Sequence, residues 1–175
     1  MMSDDIISLN NFFSDEEYLR LNKIVKEGNW TLSGHSLAQE QEFERKFWYK
    51  SLQLIPDAID LFKNKIEKGI QQKIIINKLY MNGQAHGQCG LWHQDAVSTN
   101  GELVPNRFTL LFFPNYWHPE YGGHLLLRTN NIISILPEYN KAVLFNSGIF
   151  HVGLEPTIHC KAQRESIACK FTILN

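Results

Sequence analysis

The chain has 175 residues with 43% hydrophobic and 20% charged side chains, enough apolar surface for one sizeable core and too much for a disordered chain. Its 17 basic and 18 acidic residues give a net charge of −1, which argues against a nucleic-acid binder that relies on bulk electrostatics. No apolar run approaches the roughly 20 residues of a membrane span, and the acidic start Ser3-Asp4-Asp5 lacks the basic flank of a signal peptide. The three cysteines, Cys89, Cys160 and Cys169, suit free thiols in a reducing compartment better than a disulfide framework. Together these features predict one cytoplasmic globular domain over residues 1–175, with no membrane association.

The first seventy residues read as helical support. Ser14-Asp15-Glu16-Glu17 has the form of a capping box, in which the Ser14 hydroxyl and the Glu17 carboxylate each take a free backbone amide. Tyr18, Leu21, Ile24 and Val25 follow at helical spacing, and Gly28 offers a stop. Residues 43–52 are aromatic enough for a strand. Pro56 then opens a second helix, with Leu61, Phe62 and Ile66 as its apolar face and Gly69 as its end. From residue 71 the texture changes to short β-rich runs at 74–80, 108–113, 124–127, 142–145 and 167–174, separated by Gly, Pro and Asn clusters. The pattern predicts a mainly β sandwich or barrel with the helices on one outer face.

Seven histidines are present, and His35, His86, His118, His124 and His159 sit beside Gly, Pro or polar residues as loop or surface groups do. Trp92-His93-Gln94-Asp95 differs. In an extended segment His93 and Asp95 project to one face, offering an imidazole nitrogen and a carboxylate oxygen to one point. A pair like this arises readily on any surface, so a third ligand is needed. His151 supplies one at the opening of another predicted strand, and two His with one carboxylate form the set that non-haem Fe(II) oxygenases use. Arg164-Glu165-Ser166 follows, with Arg164 and Ser166 on one face as a guanidinium–hydroxyl socket for a carboxylate.

This order, His93-Gln94-Asp95, then His151, then Arg164-Glu165-Ser166, resembles the 2-oxoglutarate- and Fe(II)-dependent dioxygenase superfamily. The likeness spans residues 74–174 and is greatest for the prolyl 4-hydroxylase-like branch, whose strand sequence is matched by the runs beginning at Arg107, Tyr121 and Ala142. The resemblance implies a double-stranded β-helix (jelly-roll) core over 71–175 on helical support over 1–70. It also implies His93, Asp95 and His151 as iron ligands and Arg164 as partner of the distal carboxylate of 2-oxoglutarate. Tyr80 matches a tyrosine that often bonds the cosubstrate, and reads equally as a core aromatic. A second such tyrosine would fall near Phe113, which has no hydroxyl, leaving that bond to Ser166 or Tyr80.

Trp92 would line the substrate channel or pack against the helices, and residues 83–91 and 96–105 are candidate lids. The implied activity is hydroxylation of a C–H bond, foremost in a peptidyl proline, using Fe(II), 2-oxoglutarate and O₂, with ascorbate a candidate reductant. Hydroxylation of a free amino acid or metabolite, or a non-catalytic jelly-roll metal-binding module, is the alternative. Partners are then a peptide, protein or small molecule, and the protein a monomer or homodimer. A nucleic-acid demethylase of the AlkB type would carry a second arginine where this chain has Lys170. A zinc site on His86, Cys89 and His93 lacks the paired CxxC or HxxxH set that would complete a tetrahedron.

Overall fold

The computed structural model describes residues 6–26, 28–34, 46–98 and 100–174, so His35 and residues 43–45 of the expected strand lie outside the described residues. Two helices precede most of the sheet strands. The capping box forms as expected, Ser14 N donating to Glu17 Oε2 at 2.8 Å and Glu17 N to Ser14 Oγ at 3.3 Å. Helix α1 (Asp15–Lys26) turns Tyr18, Leu21 and Ile24 inward and stops before Gly28, whose φ of 78° suits a residue without Cβ. Helix α2 (Pro56–Ile70) begins on its proline but runs past Gly69. The left-handed cap is Gln71, at φ 57°, whose N–H bonds the Glu67 carbonyl. Among the described residues no helix is long and apolar enough to cross a membrane.

Among the described residues ten strands follow in chain order: β1 (Ile6–Leu9), β2 (Thr31–Gly34), β3 (Phe47–Ser51), β4 (Ile74–Gln84), β5 (Arg107–Phe113), β6 (Leu125–Arg128), β7 (Ile132–Ile135), β8 (Lys141–Asn146), β9 (Phe150–Gly153) and β10 (Arg164–Ile173). They form a seven-stranded sheet in the order β1-β8-β5-β10-β4-β3-β2 and a three-stranded sheet β7-β6-β9, antiparallel throughout. This is the jelly-roll core on helical support. Strands β1, β2 and β7 were not legible beforehand. Each is a four-residue piece at a sheet edge, too short to show a period.

Alternation along β5 and β10 divides the interior in two. Phe108, Leu110 and Phe112 of β5, with Ile167, Cys169 and Phe171 of β10, face the helices and pack on Leu21, Phe62 and Ile66. Leu111, Phe113 and Ala168 face the other way, onto Leu125, Leu127 and Phe145 between the sheets. Phe112 centres the helix-side cluster, with ring centroids 5.0 Å from Phe13, 6.0 Å from Phe12 and 6.2 Å from Phe62. Asn140 anchors the lead into α1 through two bonds to the Phe13 backbone, at 3.0 Å and 2.8 Å. Phe112→Ala should lower stability by about 3–5 kcal/mol, measured as a shift in the urea midpoint at constant slope.

Candidate active site

The sheets enclose a cleft of about 940 Å³, and the candidate site lies along its wall. The backbone brings the histidines together. His93 N donates to the His151 carbonyl at 3.0 Å and His151 N to the His93 carbonyl at 2.9 Å, a directly opposed antiparallel pair. Opposed residues project to the same face, which leaves the rings 4.3 Å apart. Each ring is held the same way: Nδ1 of His93 meets the Leu91 carbonyl at 2.8 Å, and Nδ1 of His151 meets the Ile149 carbonyl at 3.0 Å. A carbonyl accepts only, so both Nδ1 atoms carry a proton and a metal would be met by the Nε2 lone pairs.

Those lone pairs converge on Asp95. Its Oδ1 lies 3.5 Å from His93 Nε2 and its Oδ2 lies 3.5 Å from His151 Nε2. Asp95 is not in the extended segment expected for it. It sits in a bend, its N–H and that of Ala96 both bonded to the Ser147 carbonyl, at 2.8 Å and 3.1 Å. Ligand atoms of the three residues lie within 4.8 Å of one another, the one group among the described residues that could hold a metal ion. Two neutral imidazoles and one carboxylate suit Fe(II) better than a thiolate-based structural zinc site.

Electrostatics favour the ligating forms of His93 and Asp95. Burial and the neighbouring His151 push the His93 imidazole down to about 4, against a smaller upward pull from Asp95. Burial would raise the Asp95 carboxyl, but His151, Lys170 and His93 hold it well below the usual carboxylate range. Both Asp95 oxygens accept bonds, Oδ2 from Thr109 Oγ1 at 2.8 Å and Oδ1 from Lys170 Nζ at 2.6 Å. Because the Thr109 proton is committed to Asp95, Ser147 Oγ donates to Thr109 at 2.8 Å.

Arg164 is buried in the wall of the same cleft. Its Nε donates to the Gly123 carbonyl at 2.5 Å and Nη1 to Gln84 Oε1 at 2.8 Å. The guanidinium stacks 5.5 Å from the Phe113 ring, so the position without a hydroxyl is used as a face for the arginine. No carboxylate among the described residues pairs with it, although burial lowers its pKa only to about 10 and leaves it charged at neutral pH. One glycine makes room: a Cβ on Gly123 would come within 2.9 Å of Arg164 Cδ.

Tyr80, Ser166 and Trp92 also line the cleft. Tyr80 lies tilted against Tyr49, ring centroids 5.3 Å apart, and packs on the inter-sheet core while lining the cleft. Trp92 is 36% exposed at the rim beneath Arg128, away from the helices. Sequence reasoning missed Thr109, Asn82, Gln84 and Lys170 as part of the site. The available signal was period: Asn82 and Gln84 continue the Tyr80 face, Lys170 continues the Arg164–Ser166 face, and Thr109 is a polar residue inside an apolar strand. The carboxamide oxygen of Asn82, opposite Ser166 in register, is buried without a hydrogen-bond partner.

The family model described as the 2OG-Fe(II) oxygenase superfamily matches residues 78–172, which include the triad and Arg164. The chain belongs to this superfamily. No curated protein matches the sequence significantly. Solved structures share its fold. A prolyl hydroxylase in complex with a hypoxia inducible factor oxygen degradation domain peptide fragment, from Trichoplax adhaerens, has a TM-score of 0.70 at 18% identity, covering 98% of this chain and 84% of that one. A Pseudomonas putida prolyl-4-hydroxylase has a TM-score of 0.66 at 16% identity, covering 98% and 94%. The non-heme alpha ketoglutarate dependent carbocyclase SnoK from nogalamycin biosynthesis has a TM-score of 0.68 at 9% identity, covering 97% and 80%. As a 2OG-Fe(II) oxygenase, the protein uses Fe(II), 2-oxoglutarate and O₂.

His93→Ala or His151→Ala in this oxygenase should abolish stoichiometric binding of Fe(II) or Mn(II) in titration calorimetry while the chain stays folded. The depressed His93 pKa also sets a pH dependence for the metal-free protein. Between about 6.5 and about 4 the unfolded chain takes up a proton on His93 that the folded chain refuses, so stability falls as pH falls. The slope from this group is at most about 1.4 kcal/mol per pH unit, and urea midpoints of His93→Gln should decline less steeply over that window.

Proposed function

We propose that this oxygenase hydroxylates a prolyl residue within a peptide or protein, with His93, Asp95 and His151 holding the iron and Arg164 holding 2-oxoglutarate. The observation that carries the cosubstrate assignment is Arg164, a buried guanidinium in the metal cleft with no described carboxylate partner. Burying such a charge unpaired is costly, and the distal carboxylate of 2-oxoglutarate relieves that cost. When bound, the iron and 2-oxoglutarate supply the oxidising chemistry, in which the cosubstrate is converted to succinate and CO₂ as substrate is hydroxylated.

The chain's own residues bind, orient and exclude water. Leu91 and Ile149 carbonyls hold the Nδ1–H of both imidazoles, so each ring is oriented with Nε2 as its ligating atom. Gly123 keeps the Arg164 socket open, and Phe113 closes its apolar side. The Ser166 and Tyr80 hydroxyls face the same cleft and are the donors left for the cosubstrate where Phe113 has none. Tyr49, Trp92 and Phe150 give part of the wall an aromatic surface, on which a proline ring packs without needing charge recognition. The fold shared with two prolyl hydroxylases supports the prolyl substrate, while the shared fold of the carbocyclase keeps a small-molecule substrate as the second reading.

Proline-containing peptides and free amino acids, incubated with Fe(II) and 2-oxoglutarate and read by mass spectrometry, separate these substrates. A gain of one oxygen on a peptidyl proline, matched by succinate, is expected. The same gain confined to free amino acids would replace the peptide reading. Arg164→Ala should raise the KM for 2-oxoglutarate by roughly tenfold to a hundredfold with iron affinity retained. Gly123→Ala should act in the same direction through displacement of the arginine. Unchanged KM values in both variants would overturn the socket.

A further inference from the structure

We infer that Lys170 is a positioning residue that holds the Asp95 carboxylate in the orientation from which it ligates the metal. The inference rests on the reading of His93, Asp95 and His151 as metal ligands. Asp95 is 3% exposed in its side chain, and each carboxylate oxygen already has a donor from a different strand. Lys170 Nζ of β10 holds Oδ1 at 2.6 Å and Thr109 Oγ1 of β5 holds Oδ2 at 2.8 Å. With a donor on each oxygen the carboxylate is held against turning about its Cβ–Cγ bond, which fixes its plane relative to the Nε2 atoms of His93 and His151, each 3.5 Å from one of its oxygens.

Lys170 is placed for this task by its strand. It lies on the inward face of β10, in phase with Arg164 and Ser166, and its ammonium sits 5.2 Å from the Tyr80 ring centroid. Its side chain is 21% exposed, so the contact with Asp95 is largely shielded from water. A flexible surface ion pair would have little hold on Asp95. Here the lysine is confined by the aromatic ring beside it and by the register of a central strand. An ion pair that served only the fold would leave the metal's coordination unchanged when removed.

The test uses Co(II) as probe, with substrate absent, in the full chain and in Lys170→Met and Lys170→Arg variants. The methionine variant is expected to bind Co(II) but with altered d–d bands and weaker 2-oxoglutarate binding. The arginine variant keeps a cation on Asp95 and should hold the parent spectrum and the parent's 2-oxoglutarate affinity within about threefold. Lys170→Gln, which is too short to reach Asp95 and carries no charge, should shift the same bands and serves if the methionine variant does not fold. Parent-like Co(II) bands in the neutral variant overturn the inference, as does an arginine variant whose bands move as far as the neutral one's. His93→Ala separates the two readings. If the parent binds Co(II) and His93→Ala does not, the ligand set stands whatever Lys170 does. If the parent binds none, the ligand set fails and the positioning role with it.

Discussion

Two backbone hydrogen bonds between His93 and His151 organise the whole site. They close a long excursion of chain and turn two residues distant in sequence into cross-strand neighbours, so that their rings emerge on one face without any side-chain adjustment. The same local device then orients each ring, a carbonyl two residues earlier taking the Nδ1 proton. Asp95 needs a separate anchor, because its backbone has left the ladder. The Ser147 carbonyl supplies it, and Ser147 also supports Thr109, which holds the carboxylate. One short turn after β8 thus controls the position of the third ligand from two directions.

Strand β10 links this site to the stability of the fold. Its outward residues Ile167, Cys169 and Phe171 belong to the helix-side core, while Arg164, Ser166, Ala168 and Lys170 line the cleft. A slip of one residue would exchange these sets, burying two cations among phenylalanines and exposing a core strand to water. The helices therefore do more than cover a sheet. By demanding the apolar face of β10 they fix which side chains reach the metal cleft, and the central place of β10 between β4 and β5 leaves no edge from which to slip.

Much of this was legible in the residues. The capping box, the Pro56 helix start and the core strands follow from local chemistry, because each signal is completed within a few residues of itself. The triad and Arg164 were legible as an ordered set and as a resemblance, although His93 and Asp95 alone could have been a surface pair. The edge strands were not legible, since four residues carry no period. Nor was the left-handed cap at Gln71: Gly69 was the better local candidate, yet α2 extends one turn position further, and Ile70 packs against the helix-side core. The supporting polar residues Thr109, Gln84 and Lys170 were overlooked for a different reason. Their roles exist only across strands, in pairs whose partners lie far away in sequence.

Charge explains why the two ends of the cleft differ. At the metal end, Lys170 and Asp95 already compensate each other, so an arriving divalent ion meets two imidazoles and a carboxylate whose charge is shared with an ammonium. At the other end Arg164 is bonded to neutral acceptors, a carbonyl and a carboxamide, and keeps its full charge in a buried place. Buried charge is tolerated when a partner arrives with binding, and the proposed role of Arg164 follows from this: with a metal at one end and a guanidinium at the other, the cleft would select a ligand with anionic groups at both of its ends, the form of 2-oxoglutarate. Glutamine at position 84 is well suited to the waiting state: it holds Arg164 in place through one acceptor, while its own amide is tied to the Gln88 and Gly153 carbonyls, so the socket keeps its shape without neutralising the charge it needs.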